Sequence, residues 1–207
     1  MNNRWNQFIY KCWAPFYDVF FNNGMFYRAR KKVFQDVYFT SEQRILFVGV
    51  GTGADLAFIP HENVNVTAID YSSEMLQKAK EKYKNSSITF HQMDAQQLTF
   101  DSLSFDAVVA SLVLSVVPDA EQALKEMTRV VKPKGTILIF DKFETKKKSA
   151  AFPKKIFRPF VKLLGTDIGL SFEHVFEASR AHLILKENSS VMLKGMYRKI
   201  ILQKVEE

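Results

Sequence analysis

Three glycines and one aspartate carry the first chemistry in this sequence. Gly49, Gly51 and Gly53 fall at alternate positions directly after the apolar run RILFV at 44–48. Glycines at a strand exit let the backbone turn with positive φ and let a ligand come up against main-chain N–H groups. A second β-branched run at 64–69 stops on Asp70. In an open parallel sheet ligands sit beyond the carboxyl ends of the strands. Both features then lie at one edge, where Asp70 can accept hydrogen bonds from a ribose diol. Together they describe a site for a nucleoside. The glycine turn alone does not say which: Gly49-Val50-Gly51-Thr52-Gly53-Ala54 fits the dinucleotide fingerprint G-x-G-x-x-G/A and also the shorter G-x-G-x-G.

Other polar groups close later apolar runs. Asp94 follows the run at 88–92, Ser111 ends the run at 105–111, and Asp141 ends the run at 136–140. Taken alone, Asp94 suits a turn or a helix cap as well as a ligand. His61, His91, His174 and His182 are scattered and Cys12 is the single cysteine, so neither a metal centre nor a disulfide framework is expected. No spacing places a nucleophile beside a base.

The elements that must position these groups alternate between strand and helix. Short apolar runs at 44–48, 64–69, 88–92, 105–111 and 136–140 read as strands. Between them, 55–59 reads as a short helix stopped by Pro60, 73–83 as a helix capped by Ser72 or Ser73, and 119–131 as a helix with Ala120, Ala123, Leu124 and Met127 inward. Lys132-Pro133-Lys134-Gly135 reads as a stop and turn. Such alternation implies a parallel sheet with right-handed crossovers. A helix at 172–180 and two runs at 183–193 and 197–204 close the chain as an antiparallel hairpin.

Two segments stand apart in composition. Residues 2–39 hold 13 of the 28 aromatic residues, with Trp5, Phe8, Cys12, Trp13, Phe16 and Phe20 at helical spacing. Gly24 reads as a break before a second helix at 25–37. This region suits ordinary packing on the sheet and equally a lid that meets a membrane interface, where Trp and Tyr are favoured. The formal net charge of +7 matches the excess of one segment, 142–165, whose eight Lys and Arg face Glu144 alone. There Ile156, Phe157, Phe160, Val161 and Leu164 share one helical face while Lys154, Lys155, Arg158 and Lys162 share the other, an interfacial pattern suited to an anionic surface, either phospholipid headgroups or nucleic acid. With 207 residues and 47% apolar content, the chain has enough material for one α/β domain. The expected division is a lid over 1–40 and a binding domain over 41–207 with a basic insert at 142–170. No run approaches the ~20 apolar residues of a membrane span, and MNNRWNQF lacks the apolar stretch of a signal peptide. A cytoplasmic protein, peripheral at the inner membrane face, is the expectation.

The full order resembles the class I S-adenosylmethionine (SAM) methyltransferases. The resemblance rests on Val48-Gly49-Val50-Gly51-Thr52-Gly53, Ala68-Ile69-Asp70-Tyr71-Ser72 with Met75, Met93-Asp94-Ala95, Phe105-Asp106-Ala107-Val108-Val109, Leu138-Ile139-Phe140-Asp141 and the closing hairpin. It implies a Rossmann-like α/β fold with a seven-stranded, mostly parallel sheet, a C-terminal antiparallel hairpin and a helical N-terminal lid. It implies SAM as cofactor and S-adenosylhomocysteine as product. Gly49, Gly51 and Gly53 would line the methionine end and Asp70 would hold the ribose. Tyr71 and Met75 would flank the adenine, Asp94 would take its amino group beside Ala95, and Ser111 and Val113 would border the cofactor. The chain departs from the family at Phe47, where an acid is usual; Asp55 or main-chain groups are the available substitutes.

Within that family, Trp13-Ala14-Pro15-Phe16-Tyr17-Asp18 resembles the entry segment of bacterial phospholipid N-methyltransferases, which act on phosphatidylethanolamine. Quinone-precursor methyltransferases carry a similar Tyr-Asp pair. An amine acceptor must lose a proton, for which Tyr17, Asp18 and Asp141 are the candidates, and rings such as Trp13, Tyr17 and Tyr27 would favour its cationic product. Alternatives are a soluble small-molecule or quinone-ring acceptor, a NAD-dependent oxidoreductase, or a SAM-binding protein without turnover. Against the oxidoreductase, no Tyr-x-x-x-Lys pair follows the fifth strand. Residues 111–118 (SLVLSVVP) lack the N/D-P-P-Y signature of nucleic-acid amino-methylation, and no recognition module is visible, which argues against a nucleic-acid partner.

Overall fold

The computed structural model describes residues 24–60, 63–144 and 169–206. Seven strands form one sheet in the spatial order β3-β2-β1-β4-β5-β7-β6. They are β1 (Arg44–Val48), β2 (Asn65–Asp70), β3 (Thr89–Gln92), β4 (Phe105–Ser111), β5 (Val131–Lys142), β6 (Leu183–Met192) and β7 (Tyr197–Lys204). The first five run parallel, and β7 enters antiparallel between β5 and β6. The chain reverses its lateral direction at β1, stepping out to β2 and β3 and then back across to β4. That reversal opens a crevice at the carboxyl ends of β1 and β4.

The sheet is apolar on both sides because it is covered on both sides. Ile45 and Phe47 of β1 project into a core shared with helix α1 (Gly24–Phe34) and helix α2 (Ser73–Lys82), through Ala29, Val33, Phe34, Leu76 and Ala79. Leu46 and Val48, one residue out of phase, project into the opposite core with helix α3 (Ala120–Val130) and helix α4 (Phe172–Glu177), through Ala123, Leu124, Met127, Phe172 and Val175. The period-2 alternation of a strand thus divides RILFV between two layers of helix.

Local signals set the helix starts. Ser72 caps α2 by accepting from Met75 N, Asp119 caps α3 by accepting from Gln122 N, and Ser171 caps α4 by accepting from His174 N. Several bounds differ from the sequence expectation. The segment after the glycine turn is a single 3-10 turn (Asp55–Phe58), and α4 stops at Glu177 instead of reaching residue 180. The expected turn at 132–135 lies inside β5: the register with β4 shifts between Phe105 and Ala107, and Lys134 takes a left-handed φ of 62°. The Pro-Gly sequence makes a bulge here because Val131 is already paired with Phe105. Helix α1 opens on Gly24 at φ 59°. From there it packs on the sheet as core, with Arg30 only 3% exposed. The aromatic residues before it, including Trp13, Tyr17 and Asp18, and the basic face of Lys154, Lys155, Arg158 and Lys162 lie outside the described residues. Among the described residues no helix is long and apolar enough to cross a membrane.

Candidate cofactor site

The crevice is walled by the glycine turn, the end of β2, the first turn of α2 and the loop after β4. Gly49, Gly51, Asp70, Tyr71, Met75, Ala95, Ser111 and Val113 all line it, joined by Met93, Leu112 and Val116. Its space, part of it open to solvent, is about 540 Å³, within the range of small-molecule sites.

The glycine turn is held in shape by main-chain bonds: Val50 N donates to Ile69 O at 2.9 Å and Gly53 N donates to Val50 O at 2.9 Å. Gly49 has φ 68°, and a Cβ placed there would stand 1.9 Å from Val113 Cγ2. Gly51 has φ 56° and open space where a Cβ would be. One glycine therefore seats the opposite wall, and the other leaves room for a ligand.

Asp70 joins the two loops. Its Oδ2 accepts from Gly51 N at 2.7 Å and its Oδ1 accepts from Ser72 N at 2.8 Å. An ionised carboxylate has about four acceptor positions, so the group keeps capacity for a ligand hydroxyl beside these main-chain donors. Burial pushes this carboxyl above the ordinary aspartate value, against the downward pull of the N–H groups of Ser72, Gly51 and Tyr71. Ser111 adds an observation of the same kind. It is 9% exposed, lines the crevice, and its Oγ has no hydrogen-bond partner among the described residues. An orphaned hydroxyl and a carboxylate with spare acceptor capacity fit a polar, nucleoside-bearing ligand, while Met75, Met93 and Val116 supply apolar walls for a base.

Three expected groups sit elsewhere. Gly53 is not in the lining; a Cβ there would meet the Tyr83 ring at 2.8 Å, and Tyr83 Oη donates to Gly53 O at 3.0 Å. Its glycine serves the close packing of α2 on the turn. Asp94 is also outside the lining: its Oδ1 accepts from the backbone and side-chain amides of Gln96 at 2.9 and 3.0 Å. It shapes the loop that carries Ala95. Asp141 is fully buried behind the wall, where Oδ2 accepts from Ser115 N at 3.2 Å and Oδ1 from Lys142 N at 2.7 Å. Burial raises its carboxyl, opposed by Ser115 and Lys142. In this position Asp141 pins the loop after β4.

Phe47 is a core residue, 2% exposed. Asp55 does not replace the missing acid: its Oδ1 pairs with Arg30 Nε at 2.8 Å, with both side chains buried. The ion pair fastens α1 to the turn that follows the glycines. Tyr83 stands beside it, its hydroxyl pushed up to about 12 by burial and then by the Asp55 carboxylate. Tyr83 thus stays a donor to Gly53 O at every working pH. Replacing Tyr83 with Phe should cost about 1 kcal/mol of stability and loosen the glycine turn, weakening SAM binding severalfold. Thermal melts and titration calorimetry check this; unchanged affinity would remove Tyr83 from the support of the turn.

Met93, Leu112 and Val116 were not anticipated as lining. Leu112 had no available signal. It takes a left-handed φ of 55° and donates its N–H to Phe140 O at 2.7 Å, a conformation that leucine rarely adopts.

The sheet order, the crevice at its switch point and the glycine–aspartate geometry define a nucleoside-binding α/β domain of the Rossmann-like class. Comparison with known proteins takes this further. Residues 46–139 match the family described as methyltransferase domain. A phosphatidylethanolamine N-methyltransferase of Cereibacter sphaeroides is 37% identical over 145 residues, 68% of this chain and 71% of that protein. A demethylmenaquinone methyltransferase of Lactobacillus johnsonii is 31% identical over 219 residues, 93% of this chain and 84% of that protein. Among solved structures, a SAM-dependent methyltransferase from Aquifex aeolicus superposes with a TM-score of 0.66 at 19% identity, covering 97% of this chain and 98% of that one. The chain belongs to the class I SAM-dependent methyltransferases and is an enzyme of that class, with SAM as methyl donor.

Proposed function

We propose that the methyl acceptor is the amine of a phospholipid headgroup, phosphatidylethanolamine in the first instance. The observation that carries this reading is the 37% identity to a phosphatidylethanolamine N-methyltransferase across 71% of that protein. The Trp13-Ala14-Pro15-Phe16-Tyr17-Asp18 segment and the basic face of Lys154, Lys155, Arg158 and Lys162 support it, since a lipid acceptor requires the enzyme to meet an anionic membrane.

SAM supplies an electrophilic methyl group for in-line displacement. The chain's own residues supply geometry and a dry site. Gly49 and Gly51 let the methionine end approach the main chain, Asp70 takes the ribose hydroxyls, and Tyr71 and Met75 flank the adenine beside Ala95. Ser111 and Val113 border the cofactor on the β4 side of the crevice. The amine must arrive unprotonated, and Tyr17 and Asp18 are the candidates to receive its proton. Asp141, buried behind the wall, holds the loop after β4 through Ser115 N.

A second reading is favoured by the demethylmenaquinone methyltransferase, whose match runs over 93% of this chain: a quinone-ring acceptor. Methyl-labelled SAM with anionic vesicles, with and without phosphatidylethanolamine, separates the two. Label should enter the organic phase only when phosphatidylethanolamine is present. Label transferred to a demethylated quinone and not to the lipid would overturn the lipid reading.

A further inference from the structure

We propose that the tip of the β6–β7 hairpin, together with Met25 and the basic face of α1, is a docking surface for an anionic lipid bilayer. It rests on the phospholipid reading above only in placing the acceptor in a membrane. The tip is the 3-10 turn Leu193–Gly195 followed by Met196. None of the turn's residues is buried, and Leu193 and Met196 are 49% and 37% exposed. Leu193 and Lys194 both take left-handed φ, 50° and 54°. Leucine there carries a backbone cost, and burial does not repay it.

Two contacts bring α1 to the same place. Phe26 packs edge-on against Tyr197, the first residue of β7, with ring centroids 5.5 Å apart. Lys32 Nζ donates to Ser190 O of β6 at 3.2 Å. Met25 precedes Lys32 by two helical turns, so it lies on the flank of α1 that meets β6, and it is 52% exposed. Met25, Leu193 and Met196 therefore form an apolar corner and are not scattered singly. The corner sits on the sheet edge that carries the crevice. Ser111 of β4 pairs with Phe140 of β5, and two residues on Lys142 pairs with Tyr197. Only β5 separates β4 from β7, so ordinary strand spacing puts the tip roughly 10–15 Å along the edge from the β4 wall.

Charge selects the occupant. GMFYRARKKVF of α1 and VMLKGM at the tip hold Arg28, Arg30, Lys31, Lys32 and Lys194 and no carboxylate. Arg30 is paired with Asp55, and the other four are exposed. The acids that follow, Asp36 beyond α1 and Glu144 beyond β5, lie outside both elements. Apolar tips set among cations match the headgroup boundary of an anionic bilayer, where the apolar groups enter the acyl region and the cations stay with the phosphates. A convex hairpin end presses into a deformable surface, whereas a protein partner would need a groove shaped to it.

Cosedimentation of the full chain with vesicles tests the surface. The vesicles hold phosphatidylglycerol and phosphatidylcholine, with phosphatidylcholine alone as control. Neither contains phosphatidylethanolamine, so docking is measured apart from methyl transfer. The native chain should bind the anionic vesicles and leave them at high salt. Leu193→Asn combined with Met196→Ser should weaken that binding by about tenfold or more. Asparagine suits a left-handed φ, so the melting temperature and the affinity for S-adenosylhomocysteine should hold. Lys194→Asn should weaken docking about fivefold, and Met25→Gln should act in the same direction. A native chain that does not bind, or variants that bind as it does, overturns the surface. So does a native dimer that Leu193→Asn with Met196→Ser converts to a monomer, since the corner would then belong to a second copy. Docking that falls in the variants supports the surface even where phosphatidylethanolamine takes no methyl group, an outcome that overturns the acceptor reading alone.

Discussion

Gly49→Ala should abolish SAM binding and lower the melting temperature by roughly 5–15 °C. Two costs combine. The residue holds φ 68°, which burdens a side chain by about 1–2 kcal/mol. The new Cβ would also stand 1.9 Å from Val113 Cγ2, and relieving such overpacking costs typically 1–3 kcal/mol. For a chain of this length, each kcal/mol shifts the midpoint by about 2–4 °C. Binding suffers beyond stability, because Val113 can move only by carrying the far wall of the crevice with it. Gly51→Ala is the matched control. It meets the same φ penalty at 56°, but open space surrounds its Cβ, so the fold should lose less while the ligand still meets a methyl group. Differential scanning fluorimetry with and without S-adenosylhomocysteine reads both effects. Equal destabilisation by the two variants would show that Val113 does not bear on Gly49.

Asp70→Asn should weaken SAM binding by about 100-fold, ~2.7 kcal/mol. The amide cannot accept at both positions. Either the Gly51 or the Ser72 N–H, now 2.7 and 2.8 Å from a carboxylate oxygen, would face an NH2 group, and acceptor capacity for a ligand hydroxyl would be lost. Protonation does in the native enzyme part of what the substitution does. The folded carboxyl sits above the ordinary value of 3.8 because of burial. Cofactor binding, which uses the ionised form, should therefore decline on the acid side at a higher pH than an unperturbed aspartate gives. The stability linkage has the opposite sign. A raised folded value means that this group's contribution is present at acid pH and is lost as pH rises through it. In Asp70→Asn both dependences should flatten. Calorimetric titrations of S-adenosylhomocysteine between pH 4 and 8 measure the first; an affinity within threefold of the native protein at neutral pH would remove Asp70 from the site.

The parts of this molecule that were legible in sequence are those fixed by local chemistry. RILFV ends where glycine begins, and β1 is Arg44–Val48. Ser72 and Asp119 are caps because their oxygens reach N–H groups three residues on. The strand–helix alternation pointed to the parallel pairing of the first five strands, and eight of the ten expected cofactor residues line one crevice. What was not legible depended on tertiary partners. Gly53 and Gly51 look alike in the motif, yet one faces Tyr83 from a distant helix and the other faces open space. Asp94 and Asp141 each close an apolar run as Asp70 does. Their oxygens are taken by Gln96 and by Ser115 with Lys142, and nothing in the run announces that. The bulge in β5 reads as a turn because Pro133 and Gly135 break local order, and only pairing with Phe105 restores the strand.

The Arg30–Asp55 pair bears on where this protein can be divided. Sequence composition suggests a seam near residue 40, between an aromatic leader and a catalytic body. The ion pair crosses that seam, as do Val33 and Phe34, which are packed into the same core as Ile45 and Phe47. A chain beginning at residue 41 would hold Asp55 as a buried charge with its counterion gone, a loss of about 3–5 kcal/mol when one member of such a pair is removed. It would also open an apolar face of the sheet to water. The autonomous folding unit therefore reaches back at least to Gly24, and the smallest catalytic body includes part of what composition would assign to its cover.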